Sequence, residues 1–171
     1  MKLLGIEEAL DGDKFLTCRV LNHIPRWSTV PIIRRQTVGE HCFLVARYCI
    51  LILDYIEIPV NRGVLLNLAL IHDDDELKTG DLPSPSKKDT NFDMPTVEHG
   101  LVKVADRLEA YCYTQEETAL GNNIMDRFTE QTWKRYVETM AFFMNKYKGK
   151  LYPHAHTHEW FNFLGDPELP F

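Results

Sequence analysis

The sequence predicts an all-α fold, a compact helical bundle. Apolar residues recur at helical spacing in four segments, and helix start and stop signals bracket each of them. No segment shows a convincing period-two alternation, so no sheet is expected. At 171 residues the chain has the size of one domain. A domain of that length buries roughly 70% of the surface that its unfolded chain exposes, enough for a real core.

The first 36 residues read as irregular or weakly helical, with Pro25 and Pro31 as breakers. Thr37 followed by Glu40 fits a capping box and starts a helix that runs to about Ile56 and stops before Pro59. Its second half, Tyr48 to Leu53, is apolar on nearly every face and is expected at the centre of the fold. A second helix is predicted from Asn61 to about Leu77, with Val64, Leu65, Leu68, Ile71 and His72 on one face. Gly80, Pro83 and Pro85 end it, and residues 79–95 read as a loop. A third helix covers Thr96 to Tyr113, with Val97, Leu101, Val104, Ala105 and Leu108 facing inward. Gly121-Asn122-Asn123 breaks the chain, and a long helix follows to about Lys148. Its apolar stripe is Trp133, Tyr136, Val137, Met140, Met144 and Tyr147, wide enough for core and a subunit contact.

Composition excludes several function classes. Lys plus Arg total 19 against 25 Asp plus Glu, a net charge of -6. That disfavours a nucleic-acid polymer as partner, because such a partner needs a basic stripe. Cys18, Cys42, Cys49 and Cys112 form no C-x-x-C pair, so neither a zinc knuckle nor a redox motif is indicated. Cys42 and Cys49 read as core, and a reducing compartment is the simplest setting. Glu7 and Glu8 stand where a signal peptide needs an apolar stretch. The apolar run from Cys42 to Leu53 is interrupted by Arg47 and is too short to span a bilayer. The expectation is a soluble cytoplasmic protein with no membrane partner.

Four positions carry the chemistry: His41, the adjacent pair His72-Asp73, and Asp106. Two imidazoles and two carboxylates suit a borderline or hard divalent cation, with Zn, Co, Mn and Fe all compatible. Such a set leaves coordination positions for water and a substrate oxygen, as a hydrolytic metal requires. The bland alternatives are a hydrogen-bonded core histidine and a surface Asp106 paired with Arg107. The run His72-Asp73-Asp74-Asp75-Glu76 weighs against them. Adjacent carboxylates at the end of an apolar helix repel one another and the helix dipole unless a cation or solvent relieves them. Glu76, three residues after Asp73 and four after His72, would share their face of a continuous helix and is a candidate general base or acid.

These residues resemble a known family. His41, His72-Asp73 and Asp106 match the H…HD…D signature of the HD-domain metal-dependent phosphohydrolases. Arg26-Trp27, Val38-Gly39-Glu40-His41, His72-Asp73-x-x-Glu76, Thr79-Gly80-Asp81-Leu82-Pro83 and Val104-Ala105-Asp106 follow in the order of the 5′-deoxynucleotidase branch. The chain is similar also to the small phage dATP triphosphohydrolases. The resemblance spans about residues 24–123, leaving 124–171 as C-terminal helix and tail of a single HD-type domain, 1–171.

The resemblance implies His41, His72, Asp73 and Asp106 as metal ligands and Glu76 as the proton-transfer group. Arg26 would hold the phosphate beside the ester bond, and Trp27 would shape the sugar and base pocket. Asp81 would accept from the sugar 3′-hydroxyl and, with Trp27, exclude a 2′-hydroxyl. Lys87, with Lys88, could reach outer phosphates. The expected substrate is a deoxynucleotide: dATP cleaved to deoxyadenosine and triphosphate, with dADP and dAMP as further substrates. The alternatives are a general deoxynucleoside 5′-monophosphatase and a non-catalytic nucleotide-binding module. A homo-oligomer, dimer or hexamer, is implied. The connection from Asp73 to Asp106 is shorter than in the bacterial nucleotidases, so closure of the pocket there would be absent or supplied by another subunit. His154, His156 and His158 alternate in the tail, a pattern that can bind a metal if the segment is extended, but a flexible tail with incidental affinity is the favoured reading; His23 and His99 read as bystanders.

Overall fold

A computed structural model describes residues 18–80, 94–148 and 152–153. A short 3-10 turn, Leu21–His23, leads into a loop and then α1, Val38–Tyr55. A two-residue strand β1, Ile56–Glu57, follows, then α2, Arg62–Ile71, and a single turn α3, Glu76–Thr79. The long α4, Val97–Ala119, passes through a 3-10 turn, Asn123–Met125, into α5, Asp126–Tyr147. β2, Tyr152–Pro153, pairs antiparallel with β1. The architecture is the helical bundle that the periodicity predicts.

The capping box forms as expected. Thr37 N–H donates to Glu40 Oε2 at 2.7 Å, and Glu40 N–H donates to Thr37 Oγ1 at 3.2 Å. Asn61 caps α2 and Thr96 caps α4, each through its side-chain oxygen. The central helix is α4, which packs on α1, α2 and α5. Leu101, Val104 and Ala105 are fully buried there. Gly100 lets α5 come close: a Cβ at that position would lie 2.6 Å from the Phe143 ring.

Several sequence expectations change. The second half of α1 enters the core on one side only: Cys49 and Ile52 are buried there, with Tyr48 and Leu53 packed against it, while Leu51 is exposed. On α2, Val64 and Ile71 are exposed, and Ala69 is buried with Leu65 instead. α2 ends at Ile71, not near Leu77, because the chain turns through His72–Asp75 before α3. Four consecutive acidic residues at the negative end of a helix dipole explain that early stop. α5 buries Phe143 and leaves Val137 exposed. α4 continues past Tyr113 to Ala119.

The polar run that hid this extension, Thr114 to Thr118, anchors the loop before α1. Glu117 is fully buried. Its carboxylate accepts from Ile33 N–H at 2.7 Å, Arg34 N–H at 2.6 Å and Asn122 Nδ2 at 2.8 Å. Tyr113 Oη donates to the Arg34 carbonyl at 2.7 Å, and Arg34 pairs with Glu116 on the surface. The loop therefore lies along one stripe of α4. That stripe begins, a few turns earlier, with Asp106.

Candidate metal centre

Each element brings one piece to a common point. The capping box sets the first turn of α1, which carries the fully buried His41. The C-terminal end of α2 carries His72, and the turn after it carries Asp73. Asp106 projects from α4. His41 Nε2 lies 3.2 Å from His72 Nε2, 3.2 Å from Asp106 Oδ1 and 3.6 Å from Asp73 Oδ2. Asp73 Oδ2 is also 3.6 Å from His72 Nε2. The four residues singled out from sequence are thus adjacent in space. One ligand atom each from His41, His72 and Asp106 lies within 4.8 Å of the others, a group that could hold a metal ion.

The donor chemistry tests that fit. His72 Nδ1 lies 2.8 Å from the Ala69 carbonyl, which can only accept, so Nδ1 carries the proton. His41 Nδ1 lies 2.5 Å from Glu109 Oε2, a carboxylate, and carries its proton for the same reason. In the neutral imidazoles both Nε2 lone pairs therefore point into the cluster, where two carboxylates also converge. Four acceptors around one point need a cation. A proton can stand in for one. Burial and Arg26 both disfavour charge on His41, but Glu109 and Asp106 outweigh them and hold the imidazole above its ordinary range. Burial likewise pushes Asp106 up, yet His41, Arg107 and His72 keep its carboxyl far below the usual carboxylate range. The residues fit a divalent metal.

Around this centre lie groups that sequence reasoning missed. Glu109, 2% exposed, takes Arg26 Nη1 at 2.9 Å on the same oxygen that meets His41. Gln36 Nε2 donates to its other oxygen at 2.5 Å. Glu109 stands three residues after Asp106 on α4, so helical spacing could have flagged it. Cys42, read as core, is buried, but its sulfur also lies within 4.8 Å of ligand atoms of His72 and Asp73. Burial, with Asp73 adding, pushes that thiol up to about 12, so it stays neutral.

The other predicted residues fall as follows. Arg26 sits beside the cluster through Glu109. The Trp27 ring stacks on Tyr113 at 5.9 Å and meets Phe128 edge-on at 5.7 Å. Tyr113 is seven residues beyond Asp106, roughly 10 Å along α4. Trp27 has φ 57°, a left-handed conformation that costs a bulky residue on the order of 1–3 kcal/mol. Its neighbours hold it there: Arg26 N–H donates to the Gln36 carbonyl at 2.9 Å and Val30 N–H to the Trp27 carbonyl at 3.0 Å. Glu76 is buried at the start of α3, and its N–H donates to the Asp73 carbonyl at 3.0 Å. Asp81, Lys87, Lys88 and the tail histidines lie outside the described residues. His99 bonds Thr96 at the start of α4, away from the cluster.

The profile of the HD domain matches residues 18–147. The chain belongs to the HD-domain family. Among curated proteins none matches it. The HD-domain fold recurs in solved structures. A conserved hypothetical protein from Pyrococcus furiosus is 21% identical, with a TM-score of 0.63, covering 77% of this chain and 93% of that one. A protein from Pyrococcus horikoshii is 18% identical with a TM-score of 0.61, covering 78% and 95%. An HD-domain phosphohydrolase from Listeria innocua is 17% identical with a TM-score of 0.62, covering 91% and 89%. At these identities the likeness is one of fold. Among the described residues of this HD-domain chain, no helix is long and apolar enough to cross a membrane.

Proposed function

We propose that this HD-domain protein is a divalent-metal-dependent phosphohydrolase that cleaves the 5′-phosphate ester of deoxynucleotides, with dATP as the preferred substrate. One observation carries the reading. Two imidazole Nε2 atoms and two carboxylates face one point, and both Nδ1 atoms are already engaged by acceptors. In this reading His41, His72, Asp73 and Asp106 hold the metal. When bound, the metal supplies a Lewis acid for a phosphoryl oxygen and lowers the pKa of water.

The chain's own residues do the rest. Arg26 has one guanidinium nitrogen held by Glu109, and its planar fork of five N–H donors is suited to phosphate oxygens. Glu76, buried one turn past Asp73, accepts the proton of the attacking water and passes it to the leaving 5′ oxygen. Water oxygen bonds to the α-phosphorus, and the bond from phosphorus to the 5′ oxygen breaks. Trp27, next to Arg26 in the chain, forms with Tyr113 and Phe128 an aromatic cluster for sugar and base. Asp81 and Lys87 keep the sugar and outer-phosphate roles that the family resemblance implies, and a homo-oligomer remains the expected assembly.

The test is a product assay. Protein loaded with Zn, Co or Mn is incubated with each dNTP and each dNMP, and the products are resolved. Deoxyadenosine plus triphosphate supports the reading. Pyrophosphate plus dAMP means that a different bond breaks. Turnover of all dNMPs with no triphosphate activity selects the general 5′-monophosphatase. No turnover, with nucleotide still bound, selects a binding module.

A further inference from the structure

We infer that Glu109 is a positioning residue that aims His41 at the metal. The inference rests on the proposed metal-dependent reading and deepens it. Glu109 lies in the interior with three partners and two oxygens. Oε2 receives His41 Nδ1 at 2.5 Å and Arg26 Nη1 at 2.9 Å, while Oε1 receives Gln36 Nε2 at 2.5 Å. Arg26 and Gln36 come from the two ends of the loop before α1, and Arg26 N–H is bonded to the Gln36 carbonyl at 2.9 Å. The carboxylate is therefore fixed from both sides before it meets the imidazole.

Two consequences follow for His41. An acceptor at Nδ1 selects the tautomer with its lone pair on Nε2, the atom that faces His72 and Asp106. The same bond stops the ring from rotating and makes Nε2 a better donor to a cation. His72 gains the same tautomer from the Ala69 carbonyl, a neutral acceptor. Only His41 has a buried carboxylate behind it, and only that carboxylate is shared with an arginine proposed to meet the substrate. The HD-domain signature of two histidines and two aspartates does not contain Glu109.

The test is titration of Co(II) into the metal-free full-length protein, followed by its visible absorption spectrum and by chelator competition. Glu109→Gln keeps the shape but replaces the charged acceptor. We expect affinity to fall about 10–100-fold, with a changed Co(II) spectrum and a helical circular dichroism signal like the wild type's. A purely structural role would lower the melting temperature and leave Co(II) affinity and spectrum alone, and that result overturns the inference. Should Glu109→Gln fail to fold, Gln36→Met loosens Glu109 from the other side. It is expected to weaken Co(II) binding about five-fold, and wild-type affinity there overturns the inference. The two failures are separable. Wild-type protein that binds Co(II) but cleaves no deoxynucleotide defeats the substrate reading and leaves the Glu109 inference standing on the metal data. Wild-type protein that binds no Co(II) overturns both.

Discussion

Asp106 and Glu117 occupy the same helix, about three turns apart, and play opposite parts. Glu117 is a closed site. Two backbone N–H groups and an amide fill its oxygens, and it clamps the loop before α1 to α4. Asp106 is an open one. It faces two imidazoles whose remaining lone pairs point at the same spot. A carboxylate surrounded by donors stabilises a fold. A carboxylate beside imidazoles, as Asp106 is, keeps an oxygen for a cation while His41 and Arg107 hold it ionised. Glu109 lies between them in sequence and in character, since it is filled by donors but hands one of them, His41, to the open site.

Substitutions can break this contrast. The largest effect is expected at the open site: Asp106→Asn should lower hydrolysis more than about 100-fold, beyond the loss typical of an outer partner. In metal-free buffer with a chelator the same variant should melt below wild type, because it loses the charge that His41 and Arg107 stabilise, but by less than Glu117→Gln. A metal-free melting temperature lowered as much as that of Glu117→Gln would mean that Asp106 is chiefly structural.

At the closed site the order reverses. Glu117→Gln should cost about 3 kcal/mol in urea unfolding, because an amide cannot accept from three donors and its own N–H₂ faces them. Metal affinity of the folded variant should stay within about two-fold of wild type. If Co(II) binding collapses with Glu117→Gln, the two regions are not separable.

Acid sharpens the same point. Burial pushes the Glu117 carboxyl up, but Asn122 and the N–H groups of Ile33 and Arg34 outweigh it and hold the group below the usual range. Below pH of about 4.3 the unfolded chain takes up this proton first, so stability falls as pH drops toward the folded value. Unfolding free energy measured from pH 6 down to pH 2 should decline less steeply in Glu117→Gln than in wild type, with the difference arising below about pH 4.3. Parallel slopes would remove Glu117 from the acid response.

The smallest effect is expected at Arg34. Its exposed side chain pairs with Glu116 at 2.6 Å, while its backbone N–H serves Glu117. Arg34→Ala keeps the backbone bond and should cost about 0.5 kcal/mol or less. A loss as large as that of Glu117→Gln would shift the anchor from backbone to side chain.

Much of this was legible in the order of residues. Thr37 and Glu40 announced a helix start because a capping box is a local device, satisfied within four residues. His41, His72, Asp73 and Asp106 stood out by residue type. The polar stretch Thr114 to Thr118 misled, since period and hydropathy register it as solvated, whereas Glu117 is buried by partners from the distant 30s. Val64 and Val137 misled in the opposite sense: apolar spacing says which residues could share a face but not which faces other helices cover.

The sequence by itself determined the all-α class, the helix starts and the four candidate ligands, because periodicity, caps and donor type are properties of near neighbours or of single side chains. Only the tertiary structure decided that α4 is central, that both candidate ligand imidazoles turn Nε2 to one point, and that Glu109 stands behind one of them. Those facts depend on contacts between residues far apart in the chain, 31 positions for His41–His72 and 68 for His41–Glu109, and no local rule encodes them.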